Sequence, residues 1–189
     1  MALDSRRAIF VISGTQGAGK TTVASLLARR FARGVHVEAD TLAKMIVSGL
    51  QWPEMDQIDI NNQVTGEAAL QLQLRLHNMC LLARAFYEAG FTPVAEDIIV
   101  GRRIDQLRAE LADVDFMLVM LVPDIETVRS RERERGTKLW HEWEWLTEEF
   151  LSAPREAGLW LDTSGQGADE TVDEIMRRAW DEALVRRSS

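Results

Sequence analysis

Cysteine is almost missing from this chain. Its 189 residues include one, Cys80, set in an apolar stretch with helical spacing, which excludes an intrachain disulfide framework and a cysteine-built metal site. A reducing, cytoplasmic setting is expected, with the thiol acting as a small buried hydrophobe. Long apolar runs are missing as well. The longest, Phe116 to Val122, closes at Pro123 after seven residues, far short of the roughly 20 that span a bilayer, so no membrane role is expected. Arg6-Arg7 near the start is followed only by the short apolar run Ala8 to Ile12 and a glycine-rich loop, which does not make an export signal. Basic residues are in deficit, 22 against 30 acids for a net charge of -8. That balance argues against an extended nucleic-acid track while still allowing a local basic patch. The three histidines, His36, His77 and His141, stand apart without metal-ligand spacing and read as structural.

What is present alternates between two periods. Residues 8–13 form a continuous apolar run rich in branched side chains, suited to a strand buried on both faces of a parallel sheet. Helical spacing follows from Lys20 to Phe31, with Gly34 as a stop. A second strand is expected at 35–38, a short helix from Asp40 through Val47, and an irregular insert over 50–65. Residues 67–88 keep an apolar stripe through Ala68, Leu72, Leu76, Met79, Leu82, Ala83 and Phe86, which predicts a long helix whose Gln and Arg face is free to meet a ligand. Strands at 92–99, 116–122 and 159–161 alternate with helices at 104–111, from 123–124 onward, and from Asp169 to about Leu184. This order predicts an α/β fold, a single domain over 1–189 with a five-stranded parallel sheet flanked by helices.

The chemistry gathers where strands end. Gly14-Thr15-Gln16-Gly17-Ala18-Gly19-Lys20-Thr21 satisfies every fixed position of the P-loop pattern, between an expected strand and an expected helix. Glycines let backbone N–H groups turn inward around phosphate oxygens, the helix adds the positive end of its dipole, and Lys20 adds an ammonium. Thr21 offers its hydroxyl to Mg2+, and Mg-ATP is the expected ligand. Asp40 follows the second strand, in the crevice-lining position expected of a base that receives the proton of an attacking hydroxyl; a helix N-cap is the structural alternative. Glu96 and Asp97 close the third strand, and alternation turns only one of them toward the P-loop. Asp97 is taken as the Mg2+ carboxylate, with Glu96 as its competitor. Arg129, Arg131, Arg133 and Arg135 alternate with serine and glutamates, either as a salt-bridged helix face or as a phosphate-facing cluster. Trp140, Trp143 and Trp145 either line an acceptor pocket or pack the hinge of this stretch, and packing is the preferred reading.

Five segments together resemble the small P-loop kinases of the chloramphenicol phosphotransferase-like type, related to shikimate and gluconate kinases. They are Gly14 to Thr22, Val37 to Leu42, Val94 to Gly101, Arg131 to Gly136 and Leu161 to Ser164, so the likeness covers nearly the whole chain. The resemblance implies ATP-dependent transfer of phosphate to a hydroxyl of a small molecule, with Asp40 as base and Arg131 and Arg135 as arginines of a lid over about 129–145. It also implies that Thr22 belongs to the nucleotide cradle and Ser164 to the loop around the adenine ring. Residues 50–66 and the Trp-rich stretch after Lys138 depart from a chloramphenicol pocket, so antibiotic phosphorylation is not carried over. The Glu96-Asp97 pair departs from an Asp-Asp pattern. Kinases of nucleosides, nucleotides or polynucleotide 5'-hydroxyls share the loop, and so do regulatory ATPases. Turnover that answers to a hydroxylated small molecule rather than to a protein partner separates the leading reading from the last of these.

Overall fold

The computed structural model describes residues 7–53, 64–135 and 157–187. The elements run β1 (Ile9–Gly14), α1 (Lys20–Ala28), β2 (Gly34–Glu38), α2 (Ala39–Ala43), α3 (Gly66–Glu88), β3 (Thr92–Glu96), α4 (Arg102–Glu110), β4 (Phe116–Leu121), α5 (Ile125–Arg135), β5 (Leu159–Leu161), α6 (Ala168–Glu182) and β6 (Leu184–Val185). Five strands lie in the order β2-β3-β1-β4-β5, and every pairing among them is parallel. All six residues of β1 and of β4 are buried. That burial is what their unbroken apolarity requires when helices cover both faces.

Alternation along the central strands splits the core in two. Phe10 and Ile12 face one layer, where Val23, Ala24 and Leu27 of α1 meet Val172, Ile175 and Ala179 of α6. Ile9 and Val11 face the other, packed with Leu76, Met79, Cys80 and Ala83 of α3 and Leu107 of α4. Cys80 sits in this second layer, where burial pushes its thiol up to about 12.

Several element boundaries differ from the sequence reading, and four have a structural reason or consequence. The helix expected through Val47 ends at Ala43, because Met45 and Ile46 donate to Leu42 and Ala43 in three-residue turns that unwind it. The strand expected through Ile99 ends at Glu96, since the Ser13 hydroxyl takes over both backbone groups of Ile99, each at 2.9 Å. The last helix stops at Glu182, and Leu184–Val185 turns back as an antiparallel strand against Phe116 and Met117. The helix expected to run on to Phe31 gives way after Ala28 to turns. The expected insert over 50–65 and the expected lid lie largely outside the described residues.

Gly34, at the start of β2, lies against Ala28 at the end of α1. A Cβ there would lie 1.7 Å from the Ala28 carbonyl oxygen, so Gly34→Ala must push strand and helix apart. We expect it to lower the unfolding free energy by about 3 kcal/mol, the upper part of the range for overpacking, in a denaturant titration. An unchanged midpoint would contradict this packing.

The connection from β1 passes to one side of the sheet and that from β3 to the other. Their carboxyl ends therefore flank the point where the strand order reverses, the crevice where ligands bind in open α/β sheets.

Candidate active site

The loop that leaves β1 turns at glycines with left-handed backbone, Gly17 at φ 75° and Gly19 at φ 94°. At Gly14 a Cβ would come within 2.7 Å of the Leu121 carbonyl oxygen, so the loop lies against β4 too closely for a side chain. Thr15 and Ala18 are buried within the turn, and the Ala18 N–H donates to the Thr15 carbonyl at 3.2 Å. Gln16 is half-buried beside them. Helix α1 starts at Lys20 with no acidic residue in its first turn, which leaves its positive end open to an anion.

Lys20 folds back so that Nζ donates to the Thr15 carbonyl at 2.9 Å. Burial draws its pKa below the ordinary value, against the attraction of Glu96, Asp97 and Asp40 and with the repulsion of Arg75. The Thr21 hydroxyl reaches Glu96, and Arg75 bridges Asp97 and Asp40, so β3, α2 and α3 meet beside the P-loop.

The acid that ends β3, Glu96, and the one that follows it, Asp97, have different surroundings. Glu96, paired in register with both Ile12 and Glu38, accepts a hydrogen bond from Thr21 Oγ1 at 3.1 Å. Burial raises its pKa to about 7, against the opposing pull of Lys20 and the Thr21 bond. Asp97 uses both oxygens elsewhere. Its Oδ1 accepts from Arg75 Nη2 at 2.7 Å and from the Ile98 N–H at 2.8 Å, and its Oδ2 accepts from Arg103 Nη2 at 2.6 Å. Burial works to raise its pKa, but Arg103 and Arg75 hold the carboxyl below its ordinary value.

Glu96 carries a testable consequence. A carboxyl whose folded pKa stands above its ordinary 4.5 adds stability that is complete below about 4.5 and lost as pH rises through about 7. A rise to about 7 corresponds to up to about 3 kcal/mol. Asp97 acts in the opposite sense and only below about 3.8, outside that window. Nucleotide-free Glu96→Gln is therefore expected to be more stable than the parent at pH 8 and to lose the advantage near pH 5. Equal thermal shifts at both pH values would contradict this.

Asp40 lies in the first turn of α2, inside the helix rather than at its cap, which is Glu38. Its carboxylate, about half exposed, accepts from Arg75 Nη1 at 3.2 Å. Arg131 lies across the other side of the loop. Its Nη1 donates to the Ala18 carbonyl at 3.1 Å and its Nη2 to the carbonyls of Thr163 at 2.9 Å and Gln166 at 3.4 Å. Arg135 ends α5, and its side chain lies outside the described residues, as do Trp140, Trp143, Trp145 and His141. Ser164 Oγ donates to Asp162 at 2.5 Å and accepts from the Asp124 N–H at 2.8 Å, so its hydroxyl joins the loop after β5 to the start of α5.

Two cavities open from this centre. One, of about 240 Å³, is bounded by Ala18, Gly19, Thr22, Arg131, Thr163 and Gln166. Ala18, Gly19, Thr22 and Arg131 are among the residues expected from the sequence, and Thr163 falls in the segment Leu161 to Ser164 that carries the resemblance; Gln166 has no motif signal. The other, of about 540 Å³, runs between α2 and α3 and is walled mainly by apolar side chains such as Leu42, Ile46 and Leu72, with Gln51, Gln71, Arg75 and Asn78 as polar members. The donor set suits a magnesium nucleotide. Thr21 and Glu96 present hard oxygens of the kind Mg2+ takes, beside a glycine turn and a helix N-terminus shaped for phosphate.

The chloramphenicol phosphotransferase-like protein family matches residues 7–180. No curated protein matches the sequence. Among solved structures, a sugar kinase from a Janibacter species is 19% identical with a TM-score of 0.65, over 94% of this chain and 96% of that one. The APS kinase of Mycobacterium tuberculosis, solved with AMPPNP and APS, is 18% identical with a TM-score of 0.65, over 90% and 96%. A gluconokinase from Sinorhizobium meliloti is 17% identical with a TM-score of 0.61, over 93% and 97%. At these identities the likeness is one of fold, and the fold is that of the P-loop kinases. No helix among the described residues is long and apolar enough to cross a membrane.

Proposed function

This chain belongs to the chloramphenicol phosphotransferase-like family, and from that premise we propose that it moves the γ-phosphate of Mg-ATP to a hydroxyl of a small molecule. The observation that supports the reading best is the set of carboxylates gathered beside the P-loop, with Glu96 bonded to Thr21 at 3.1 Å and Asp40 tied through Arg75 to Asp97, the residue after Glu96. When bound, Mg-ATP supplies the phosphoryl group, and its metal spreads the charge that develops on transfer.

The residues divide the work. Gly14, Thr15, Gln16, Gly17, Ala18 and Gly19 cradle phosphate with backbone N–H groups, and Lys20 exchanges the Thr15 carbonyl for phosphate oxygen. Thr21 and Glu96 hold Mg2+. Glu96 replaces Asp97 in this role, because both oxygens of Asp97 are held by Arg75, Arg103 and the Ile98 N–H. Arg131 and Thr22 wall the 240 Å³ cavity, which is the size and place for a nucleotide base. In this reading Arg131 lines the base site instead of reaching over the transferring phosphate, a role left to Arg135. Ser164 shapes the base loop through Asp162 and Asp124 without touching the ligand.

Asp40 accepts the proton of the attacking hydroxyl, and the acceptor occupies the 540 Å³ groove between α2 and α3. The groove wall favours an acceptor with an apolar body over a highly charged one. The experiment is a screen of hydroxylated metabolites, nucleosides and antibiotics for acceptor-dependent ADP release, with Lys20→Ala as the blank. One class of hydroxylated compound should stimulate release and recover the phosphate as an ester. Release that answers only to a protein partner, with no phosphorylated product, would overturn the reading.

A further inference from the structure

Asp97 and Arg103 have no task in the reaction as assigned above and Arg75 only lines the acceptor groove, yet the three form a chain of alternating charge that ends on the proposed base. Arg103 and Arg75 both donate to Asp97, and Arg75 donates onward to Asp40. The inner members are deeply buried: the Asp97 side chain is 2% exposed and that of Arg75 7%, against 55% for Asp40. Buried ion pairs are poor stabilisers, because desolvation consumes much of the attraction. A buried chain that surfaces at one functional carboxylate is better understood by what it holds in place.

Asp40 needs holding. It stands on a helix of five residues, too short to fix a side chain by its own packing, and among the described residues Arg75 is the hydrogen-bond donor to its carboxylate. Arg75 can act as a fixed support because it is itself held on two sides. Asp97 takes its Nη2, and the Trp52 ring lies 5.5 Å from its guanidinium carbon, within the range of a cation–π contact. The planar fork of arginine lets one nitrogen be anchored while the other faces Asp40.

We infer that Arg75, anchored by Asp97 and Arg103, is a positioning residue that holds the Asp40 carboxylate toward the P-loop. The inference rests on the reading of Asp40 as the proton acceptor. It makes Asp97 an anchor of the base and not a metal ligand.

The test is a double-mutant cycle read in the slow hydrolysis of Mg-ATP by the full chain, with water in place of an acceptor hydroxyl. Arg75→Gln removes the support, and Arg75→Lys keeps a cation beside Asp97 so that folding is preserved while the fork is lost. Each is made in the parent and in Asp40→Asn. In the parent both should lower kcat, Arg75→Gln by about ten- to a hundredfold, the scale of a base displaced by an ångström or less, with KM for Mg-ATP unchanged. In the Asp40→Asn background neither should lower it further, because a support has no effect once the group it positions no longer works. Equal fold-losses in both backgrounds would overturn the inference and leave the kinase reading standing. An Asp40→Asn protein that hydrolyses Mg-ATP at the parent rate would overturn the base assignment itself, and the inference with it.

Discussion

Asp40→Asn is expected to lower acceptor phosphorylation by about 100- to 10,000-fold, the range for removing a positioned general base, while leaving Mg-nucleotide binding intact. The substitution keeps size and one carbonyl oxygen, so the hydrogen bond from Arg75 Nη1, 3.2 Å in the parent, can persist. What is lost is the capacity to receive a proton. The loss should therefore fall on kcat and on kcat/KM alike, as for an interaction made in the transition state. Steady-state kinetics with the acceptor identified by the screen, together with calorimetric titration of Mg-AMPPNP, separate the two quantities. A variant that phosphorylates at the parent rate would remove Asp40 from the mechanism.

The second large effect is expected at Lys20. Lys20→Ala removes a buried ammonium that is held on the Thr15 carbonyl and feels three carboxylates. A preorganised cation aimed at developing phosphoryl charge is worth about 100- to 1,000-fold in turnover, and that is the loss expected in Mg-ATP-dependent phosphorylation. Glu96 supplies a second readout. Lys20 is the largest influence pulling down its pKa of about 7, so the substitution should push the Glu96 carboxyl higher and weaken Mg2+ binding at neutral pH. Raising the pH should recover part of the metal affinity in the variant without recovering its turnover. Turnover that survives the substitution would place the phosphates elsewhere.

How much of this could be read before the structure depended on the range of the interaction. The order from β1 through the glycine loop to α1 is local, since a short apolar run, a P-loop and a helix start follow one another within 20 residues, and it was legible. So was β4, whose continuous apolarity has no other use in a layered α/β fold. The antiparallel strand Leu184–Val185 was not, because two residues have no period and are defined only by pairing with Phe116 and Met117.

The division of labour between Glu96 and Asp97 lay beyond the alternation rule. That rule turns one of two neighbours toward the loop, but which one depends on the register that sets Ile12 beside Glu96. It depends equally on Arg75 and Arg103, distant in sequence, reaching Asp97. Arg75 did leave a trace in the sequence. It falls beside Leu76 and three residues after Leu72, on the stripe that buries α3, and a charged side chain on a buried stripe signals a buried partner. Gln166 left none, since it meets Arg131 through a backbone carbonyl that any residue carries.

The claim that the crevice between β1 and β3 is a phosphotransfer site is tested most directly by a crystal structure of the chain with Mg-AMPPNP. The account predicts phosphates within the turn from Gly14 to Thr21, with Lys20 moved from the Thr15 carbonyl onto them. The metal should lie by Thr21 and Glu96, Asp97 should stay on Arg75 and Arg103, and the Asp40 carboxylate should face the γ-phosphate. A nucleotide seated outside the turn, or an Asp40 carboxylate remote from the γ-phosphate, would contradict it.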